Sequence, residues 1–197
     1  YLRLITKVSA MIEMSNVSKH YGQFQVLTDC STTVSKGEVI VVCGPSGSGK
    51  STLIKCVNGL EPFQSGKITV DGVSVGAPET DLPKLRARVG MVFQNFELFP
   101  HMSITENLTI GQIKVLKRSA EEATEIGLKL LDRVGLKAQA GKFPGQLSAG
   151  QQQRVAIARA FVVKPSVLFA DEPTGNLDTE TGRAIVDLLF ELNQTSG

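Results

Sequence analysis

The stretch "VIVVCGPSGSGKST", residues 39–52, most constrains what this chain can fold into. Its apolar run from Val39 to Cys43 predicts a central parallel strand that is buried on both faces. The following "STLIKCVNGL" predicts a helix that stops near Gly59. The pattern between them is G-x-x-x-x-G-K-[ST], which is typical of a phosphate-binding loop between a strand and a helix.

Each residue type in this loop suits a bound phosphate. Glycines let the backbone curl so that successive N–H groups point at phosphate oxygens, and the next helix adds the positive end of its dipole. Lys50 is expected to reach the β- and γ-phosphates of a nucleotide, and the Ser51 hydroxyl to bind Mg²⁺. A glycine-rich turn without a ligand is the alternative, which the flanking strand and helix disfavour. The predicted phosphate-binding residues are Gly44, Pro45, Ser46, Gly47, Ser48, Gly49, Lys50, Ser51 and Thr52.

A second motif, "VLFADEP" at residues 167–173, predicts a buried strand that ends in two acids. Ligands of α/β sheets collect at the carboxyl ends of the strands. Asp171 suits Mg²⁺ binding through water, and Glu172 suits the acceptance of a proton from an attacking water. By itself such a pair is more often a solvated strand end, but a phosphate loop upstream favours a catalytic site.

The remaining pattern alternates strands and helices, which predicts an α/β fold with a parallel sheet. Ser119 and Glu122 form a capping-box pattern for a helix that continues through Val134. Residues 95–147 are mainly helical in pattern and predict a separate helical lobe. The 197 residues, 42% of them hydrophobic and 20% charged, are consistent with one globular domain of two lobes. The net charge of +2 disfavours nucleic acid as a partner.

Four segments in order carry a family resemblance: "GPSGSGKST", "VFQNFELFP", "LSAGQQQRVAIARA" and "LFADEPTGNLD". Together they resemble the ATP-binding subunit of ABC transporters, a resemblance that covers residues 11–197. It implies a P-loop NTPase core of the ABC type, an antiparallel β lobe and a helical lobe at about 95–160. Residues 1–10 are left as a leader segment of unknown role.

The resemblance also implies roles for individual residues. Gln94 matches the Q-loop residue that binds Mg²⁺ and senses the γ-phosphate, and Tyr21 matches the aromatic residue that stacks on adenine. Two subunits of this family pack head to tail, so that the signature helix of one contacts the γ-phosphate held by the other. Ala149 departs from the usual "LSGGQ" but retains its backbone N–H. The residues expected to contact ATP across the homodimer are Ser148, Gly150, Gln151 and Asp178.

Different parts of the chain resemble different types of ABC transporter. Residues 11–160 resemble the polar amino-acid importers, above all the glutamate/aspartate uptake type, whereas the remainder resembles lipoprotein-release and macrolide-export ATPases. We favour the importer because the segments that contact membrane partners in this family are the importer-like ones. The implied partners are integral-membrane permease subunits and, indirectly, a periplasmic solute-binding protein. The implied location is the cytoplasmic face of the inner membrane.

Other members of the family remain as alternatives. DNA-repair ATPases carry coiled-coil insertions or basic surfaces, and translation-factor relatives carry two phosphate loops, neither of which this sequence shows. A regulatory module that hydrolyses ATP poorly stays open, although Glu172 argues against it. Family members place a histidine beyond "LLFELNQTSG", and neither His20 nor His101 matches it, so we expect this chain to bind Mg-ATP and hydrolyse it poorly. The separate cysteines Cys30, Cys43 and Cys56 predict buried free thiols in a reducing compartment.

Overall fold

The computed structural model describes residues 10–195, which divide into two compact units. Unit 1 ends at Arg86 and unit 2 begins at Ala87. Of the predicted leader segment only Ala10 lies among the described residues, and it opens the first strand. The strands are β1 (Ala10–Tyr21), β2 (Phe24–Ser35), β3 (Ser65–Val70), β4 (Val73–Ser74), β5 (Val89–Val92) and β6 (Val167–Ala170). The helices are α1 (Lys50–Val57), α2 (Leu82–Arg86), α3 (Ile104–Lys114), α4 (Ala120–Arg133), α5 (Ala149–Phe161) and α6 (Thr179–Thr195).

Unit 1 is built on a four-stranded antiparallel sheet in the order β2-β1-β3-β4. In β1, Ile12 and Met14 are buried while Glu13 between them is exposed, the alternation of a sheet with one wet face. Ile68 and Val70 of β3 complete the buried face. Helix α1 contacts β2 and β3, with Cys56 and Val57 buried. The antiparallel sheet agrees with the β lobe that the family resemblance implies.

Residues with positive φ make the two tight turns of this sheet. Asp71 (φ 48°) and Gly72 (φ 76°) join β3 to β4 as a two-residue hairpin loop, for which an Asp-Gly pair is favoured. Gly22 (φ 60°) turns the chain between β1 and β2, where Tyr21 pairs with Phe24. These turns place Tyr21 at the end of its strand.

The predicted central strand at residues 39–43 is wrong for this structure. The segment belongs to no strand among residues 10–195, and Val39, Ile40, Val41 and Val42 are 43–78% exposed. Cys43 is also exposed and Cys30 is half-buried, so the prediction of three buried thiols holds for Cys56 alone. The physical reason is that a strand needs a neighbouring backbone for its N–H and C=O groups, which an apolar run alone does not supply.

Unit 2 contains the parallel pair of strands, β5 and β6. Their register runs from Val89 opposite Val167 to Val92 opposite Ala170. Strand β6 is half-buried rather than fully buried as predicted. A methyl group at Gly90 would lie 2.9 Å from the carbonyl oxygen of Ala160, so a glycine lets the end of α5 approach β5 closely.

Helices α3 to α6 pack into one core in unit 2. Ser119 caps α4 as predicted, since its Oγ accepts the N–H of Glu122 at 3.1 Å. Ser103 caps α3 in the same way, with Glu106 completing a capping box. The fully buried members of this core include Val92, Ile104, Leu108, Leu131, Val155, Ile157, Ile185 and Leu192.

Candidate functional site

The phosphate loop lies in unit 1, directly before α1. Gly47 (φ 78°) and Gly49 (φ 92°) adopt left-handed conformations that let the chain curl into the helix. A methyl group at Gly49 would also lie 3.0 Å from Val26 Cγ1 of β2, so both space and φ require glycine here. No acid occupies the first turn of α1, and this helix start therefore keeps the positive end of its dipole.

Lys50 lies inside the curve of its own loop. Its Nζ donates hydrogen bonds to the carbonyl oxygens of Gly44 and Pro45, each at 3.0 Å. The loop from Gly44 to Ser48 is exposed, whereas Ser51 and Thr52 are half-buried in the first turn of α1. The structure thus gathers the predicted phosphate-binding residues into a compact, solvent-accessible loop around an ammonium group.

Tyr21, the predicted adenine contact, ends strand β1 with 46% of its surface exposed. The Nζ of Lys19 lies 4.5 Å from the centroid of the Tyr21 ring, within the range of a cation–π interaction. Sequence reasoning missed Lys19. The signal that could have found it is the i,i+2 spacing on a strand, which places both side chains on one face.

In unit 2 the two predicted acids follow β6, as expected. The N–H of Asp171 donates to the carbonyl oxygen of Val92 at 2.9 Å, which extends the β5–β6 pairing by one residue and leaves Asp171 buried. Glu172 comes next, exposed and with a left-handed backbone at φ 47°. This conformation is uncommon for a non-glycine residue and is found where the surrounding structure holds it.

The side chains of Gln94 and Glu172 both lie beside Gly175. A methyl group at Gly175 would lie 3.2 Å from Gln94 Nε2 and 3.5 Å from Glu172 Oε2, so glycine leaves room for both side chains. The N–H of Gly175 donates to the carbonyl oxygen of Glu172 at 3.0 Å and closes a tight turn. Two residues predicted from separate motifs therefore lie at one place.

Asn176 holds this turn to the Gln94 segment. Its Nδ2 donates to the carbonyl oxygen of Gln94 and to Asn95 Oδ1, each at 2.9 Å. Sequence reasoning did not single out Asn176 as a contact of the Q-loop. Asn176 and Asn95 are 81 residues apart in the sequence, so no local pattern could have shown their contact.

Arg159 of α5 holds the next part of the same loop. Its guanidinium donates to the carbonyl oxygens of Phe96 at 3.0 Å and Glu97 at 2.6 Å. Both residues have positive φ, 62° and 49°, so the arginine holds a backbone conformation that is costly for residues other than glycine. Burial lowers the pKa of Arg159, and the nearby Glu97 carboxylate acts in the opposite direction. The buried side chain of Gln153, also on α5, donates to the carbonyl oxygen of Pro173 at 2.7 Å, just after Glu172.

The signature segment starts α5 as a complete capping box. Ser148 Oγ accepts the N–H of Gln151 at 3.3 Å, and Gln151 Oε1 accepts the N–H of Ser148 at 3.0 Å. The cap uses one acceptor position of the Ser148 hydroxyl oxygen. A hydroxyl still has a proton to donate and a second lone pair.

Gly150 and Asp178 both contact Thr181 of α6. A methyl group at Gly150 would lie 2.7 Å from Thr181 Cγ2, closer than packed carbon atoms come. Asp178 Oδ1 accepts the N–H of Thr181 at 2.9 Å, and hydrogen bonds from Thr181 hold the pKa of this carboxyl below its usual value. The structure thus joins the signature helix to the segment that follows Asp171 and Glu172.

The comparisons with known proteins identify the family. The sequence profile of the ABC transporter family matches residues 27–175. Over 182 residues the chain is 67% identical to the glutamate/aspartate import ATP-binding protein GltL of Escherichia coli K12, covering 92% of this chain and 76% of that protein. It is 51% identical over 181 residues to BztD of Rhodobacter capsulatus, a glutamate/glutamine/aspartate/asparagine transport ATP-binding protein, covering 92% and 69%.

Solved structures of ABC transporter cassettes match the fold of this chain. The dimeric structure of MJ0796, a bacterial ABC transporter cassette, matches with a TM-score of 0.86 and 37% identity over 95% of this chain and 84% of that one. A second dimeric MJ0796 structure, bound to ADP and Pi, matches with a TM-score of 0.85 and 36% identity, covering the same shares. The chain therefore belongs to the ABC transporter family, and the predicted P-loop ATPase fold and ATPase class are confirmed. No helix among residues 10–195 is long and apolar enough to cross a membrane.

Proposed function

We propose that this chain is the ATP-hydrolysing subunit of a polar amino-acid importer whose solute is an acidic amino acid such as glutamate or aspartate. The observation that carries the proposal is the 67% identity to the E. coli glutamate/aspartate import ATP-binding protein. Because that match covers 92% of the chain, it extends into the C-terminal segment that resembles the exporters. This favours import over the lipoprotein-release and macrolide-export alternatives.

Unit 1 supplies the nucleotide-binding residues. Lys50 would exchange its hydrogen bonds to the Gly44 and Pro45 carbonyls for the β- and γ-phosphates of ATP. The backbone of residues 44–49 and the start of α1 would surround the phosphates, with Ser51 and Thr52 next to them. The exposed ring of Tyr21 would stack on adenine.

Unit 2 supplies the residues for hydrolysis. Glu172 would accept the proton of the attacking water at its carboxylate, and Gln94 beside it would hold that water and report the γ-phosphate. Gln94 and Asp171 of this unit, and Ser51 of unit 1, would each offer an oxygen to Mg²⁺, which is the ligand chemistry this ion prefers. When bound, Mg²⁺ would neutralise charge on the phosphates.

The assembly would be a head-to-tail homodimer on the permease subunits, at the cytoplasmic face of the inner membrane, and would serve a periplasmic solute-binding protein. Ser148, Gly150, Gln151 and Asp178 would contact the ATP of the other subunit. The dimeric MJ0796 structures support this arrangement. The capping box of Ser148 uses the N–H groups of Ser148 and Gln151, so an anion of the other subunit would bind at the remaining N–H groups of the first turn.

The test is reconstitution with different permeases. The membrane subunits of a glutamate/aspartate importer, or those of a lipoprotein-release system, are reconstituted in liposomes. The chain is added to each, and ATP turnover is measured. We expect turnover to rise only with the importer subunits, and to rise further when the binding protein carries glutamate. The Lys50→Ala variant is the control for contaminating ATPases. Stimulation by the export subunits alone would contradict the import assignment.

A further inference from the structure

Lys19 is a buried cation that the phosphate chemistry above does not use. Its side chain is only 4% exposed, and lysines are almost never so buried without partner groups. Its Nζ lies 3.6 Å from Glu61 Oε2 and 4.5 Å from the centroid of the Tyr21 ring. A buried ammonium is unfavourable unless such groups surround it, so strand β1 carries a charge that is held in place.

The contact with Tyr21 follows from strand geometry. The two side chains are two residues apart and project to one face of β1, just before the turn at Gly22. Because the ammonium of Lys19 lies against one face of the Tyr21 ring, a second aromatic ring can stack only on the other face. Tyr21 retains 46% exposure, which leaves room for such a partner.

Glu61 links this pair to the helix of the phosphate loop. Helix α1 begins at Lys50, and the backbone N–H groups of Leu60 and Glu61 both donate to the carbonyl oxygen of Lys55 near its end, at 2.8 and 3.0 Å. Gln64 holds the same strand end, since its Oε1 accepts the N–H of His20 at 2.8 Å. The end of β1 is thus connected to the segment that leaves α1.

The nearby Cys56 thiol does not balance the charge of Lys19. Burial raises the pKa of Cys56, while the Lys19 charge acts in the opposite direction. A thiol with a raised pKa stays neutral at physiological pH. The ammonium is therefore balanced by the Glu61 carboxylate on one side and the Tyr21 ring on the other.

We propose that Lys19 is a positioning residue for nucleotide recognition: its ammonium fixes the Tyr21 ring at the end of β1 and reserves the opposite face for the base. The inference rests on the proposed function, in which Tyr21 stacks on adenine. It separates two parts of ATP binding, because Lys19 acts on the base and leaves the phosphates to Lys50.

Calorimetry with two ligands tests this separation. ATP and inorganic tripolyphosphate, each with Mg²⁺, are titrated into the parent, Lys19→Met, Lys19→Arg and Tyr21→Ala. We expect Lys19→Met to weaken ATP binding by roughly two- to fivefold, the size of a cation–π contact, and to leave tripolyphosphate binding unchanged. Lys19→Arg keeps a cation at the ring and should bind ATP like the parent. In the Tyr21→Ala background, Lys19→Met should cause no further loss.

The outcomes separate the two proposals. If Lys19→Met weakens ATP and tripolyphosphate equally, or if its loss adds fully to that of Tyr21→Ala, Lys19 acts through the packing of α1 and the positioning role is overturned. If Tyr21→Ala binds ATP like the parent, the adenine role of Tyr21 itself fails, together with the inference built on it. Tripolyphosphate binding that survives in both variants keeps the phosphate-loop assignment intact.

NMR on the unaltered protein gives a test that does not depend on how a variant folds. The Cε protons of Lys19 should be shifted upfield by the ring current of Tyr21. Saturating Mg-ATP should shift the Tyr21 ring protons while the upfield shift of Lys19 remains. Lysine shifts at their random-coil values, or loss of the upfield shift with ATP, would overturn the proposal.

Discussion

The two units differ in how their functional residues are held. In unit 2, hydrogen bonds from Asn176 and Arg159 hold the loop after β5, and the side chains of Gln94 and Glu172 both lie beside Gly175. In unit 1, the phosphate loop is held by short-range contacts within itself, while the apolar segment at residues 39–43 is exposed. The comparison teaches that the loop of unit 1 is shaped largely by its own glycines and nearby backbone, with Gly49 also packed against β2, whereas the acids of unit 2 depend on contacts between distant parts of the chain.

The largest effect is expected from Glu172→Gln in unit 2. The amide keeps the size of the side chain and loses its proton affinity, so hydrolysis should fall on the order of 10²- to 10⁴-fold while ATP still binds. Single-turnover hydrolysis and calorimetry measure the two quantities. Glu125→Gln on the exposed face of α4 is the matched control and should hydrolyse normally. Normal hydrolysis by Glu172→Gln would show that another group accepts the proton.

Lys50→Ala is the corresponding change in unit 1, and it should act on binding. A charge-assisted contact is worth about 1.5–3 kcal/mol, so ATP affinity should fall by roughly ten- to 150-fold and turnover should be lost. Lys67→Ala, which removes an exposed lysine of β3, should leave affinity unchanged. Normal affinity for Mg-ATP in the Lys50→Ala variant would remove Lys50 from the site.

Features of the fold and site that depend on neighbouring residues could be predicted from the sequence. Those that depend on contacts between distant residues could not. The cap of Ser119 on Glu122 and the left-handed glycines of the phosphate loop depend on residues within a few positions, so the local pattern shows them. The contact of Arg159 with Phe96 spans 63 residues and has no local signature. The strand prediction for residues 39–43 failed for the same reason, because an apolar run does not show which backbone would pair with it.

Gly150→Ala tests whether the signature glycine serves its own chain or another. The added methyl group would meet Thr181 Cγ2, and overpacking of this kind costs about 1–3 kcal/mol of unfolding free energy. Thr181→Ser removes that methyl group and should restore stability in the double variant, as measured by urea unfolding. If Gly150 also contacts ATP in the other subunit, hydrolysis should stay low in the stable double variant. Full recovery of hydrolysis would limit Gly150 to packing.

The smallest effect is expected from Asn176→Asp, which probes the long-range contacts of unit 2. The carboxylate can donate neither to the carbonyl oxygen of Gln94 nor to Asn95 Oδ1. The Asn95 amide can turn and donate to the new carboxylate, so the net loss is one neutral hydrogen bond, and kcat should fall by roughly two- to tenfold. The KM for ATP should stay unchanged, since this residue lies in unit 2 and contacts the Gln94 segment. A rise in KM with unchanged kcat would mean that Asn176 affects nucleotide binding instead.

The central claim is that ATP joins two copies of this chain through Ser148 and its helix. Its most direct test is to measure the mass of the Glu172→Gln variant by light scattering with and without Mg-ATP. Hydrolysis is blocked in this variant, so bound ATP should accumulate. The account predicts a monomer without nucleotide and a dimer, twice the mass of the chain, at saturating Mg-ATP. Adding Ser148→Arg should return the protein to the monomer while its ATP affinity persists. A Glu172→Gln variant that remains a monomer with ATP bound would contradict the account.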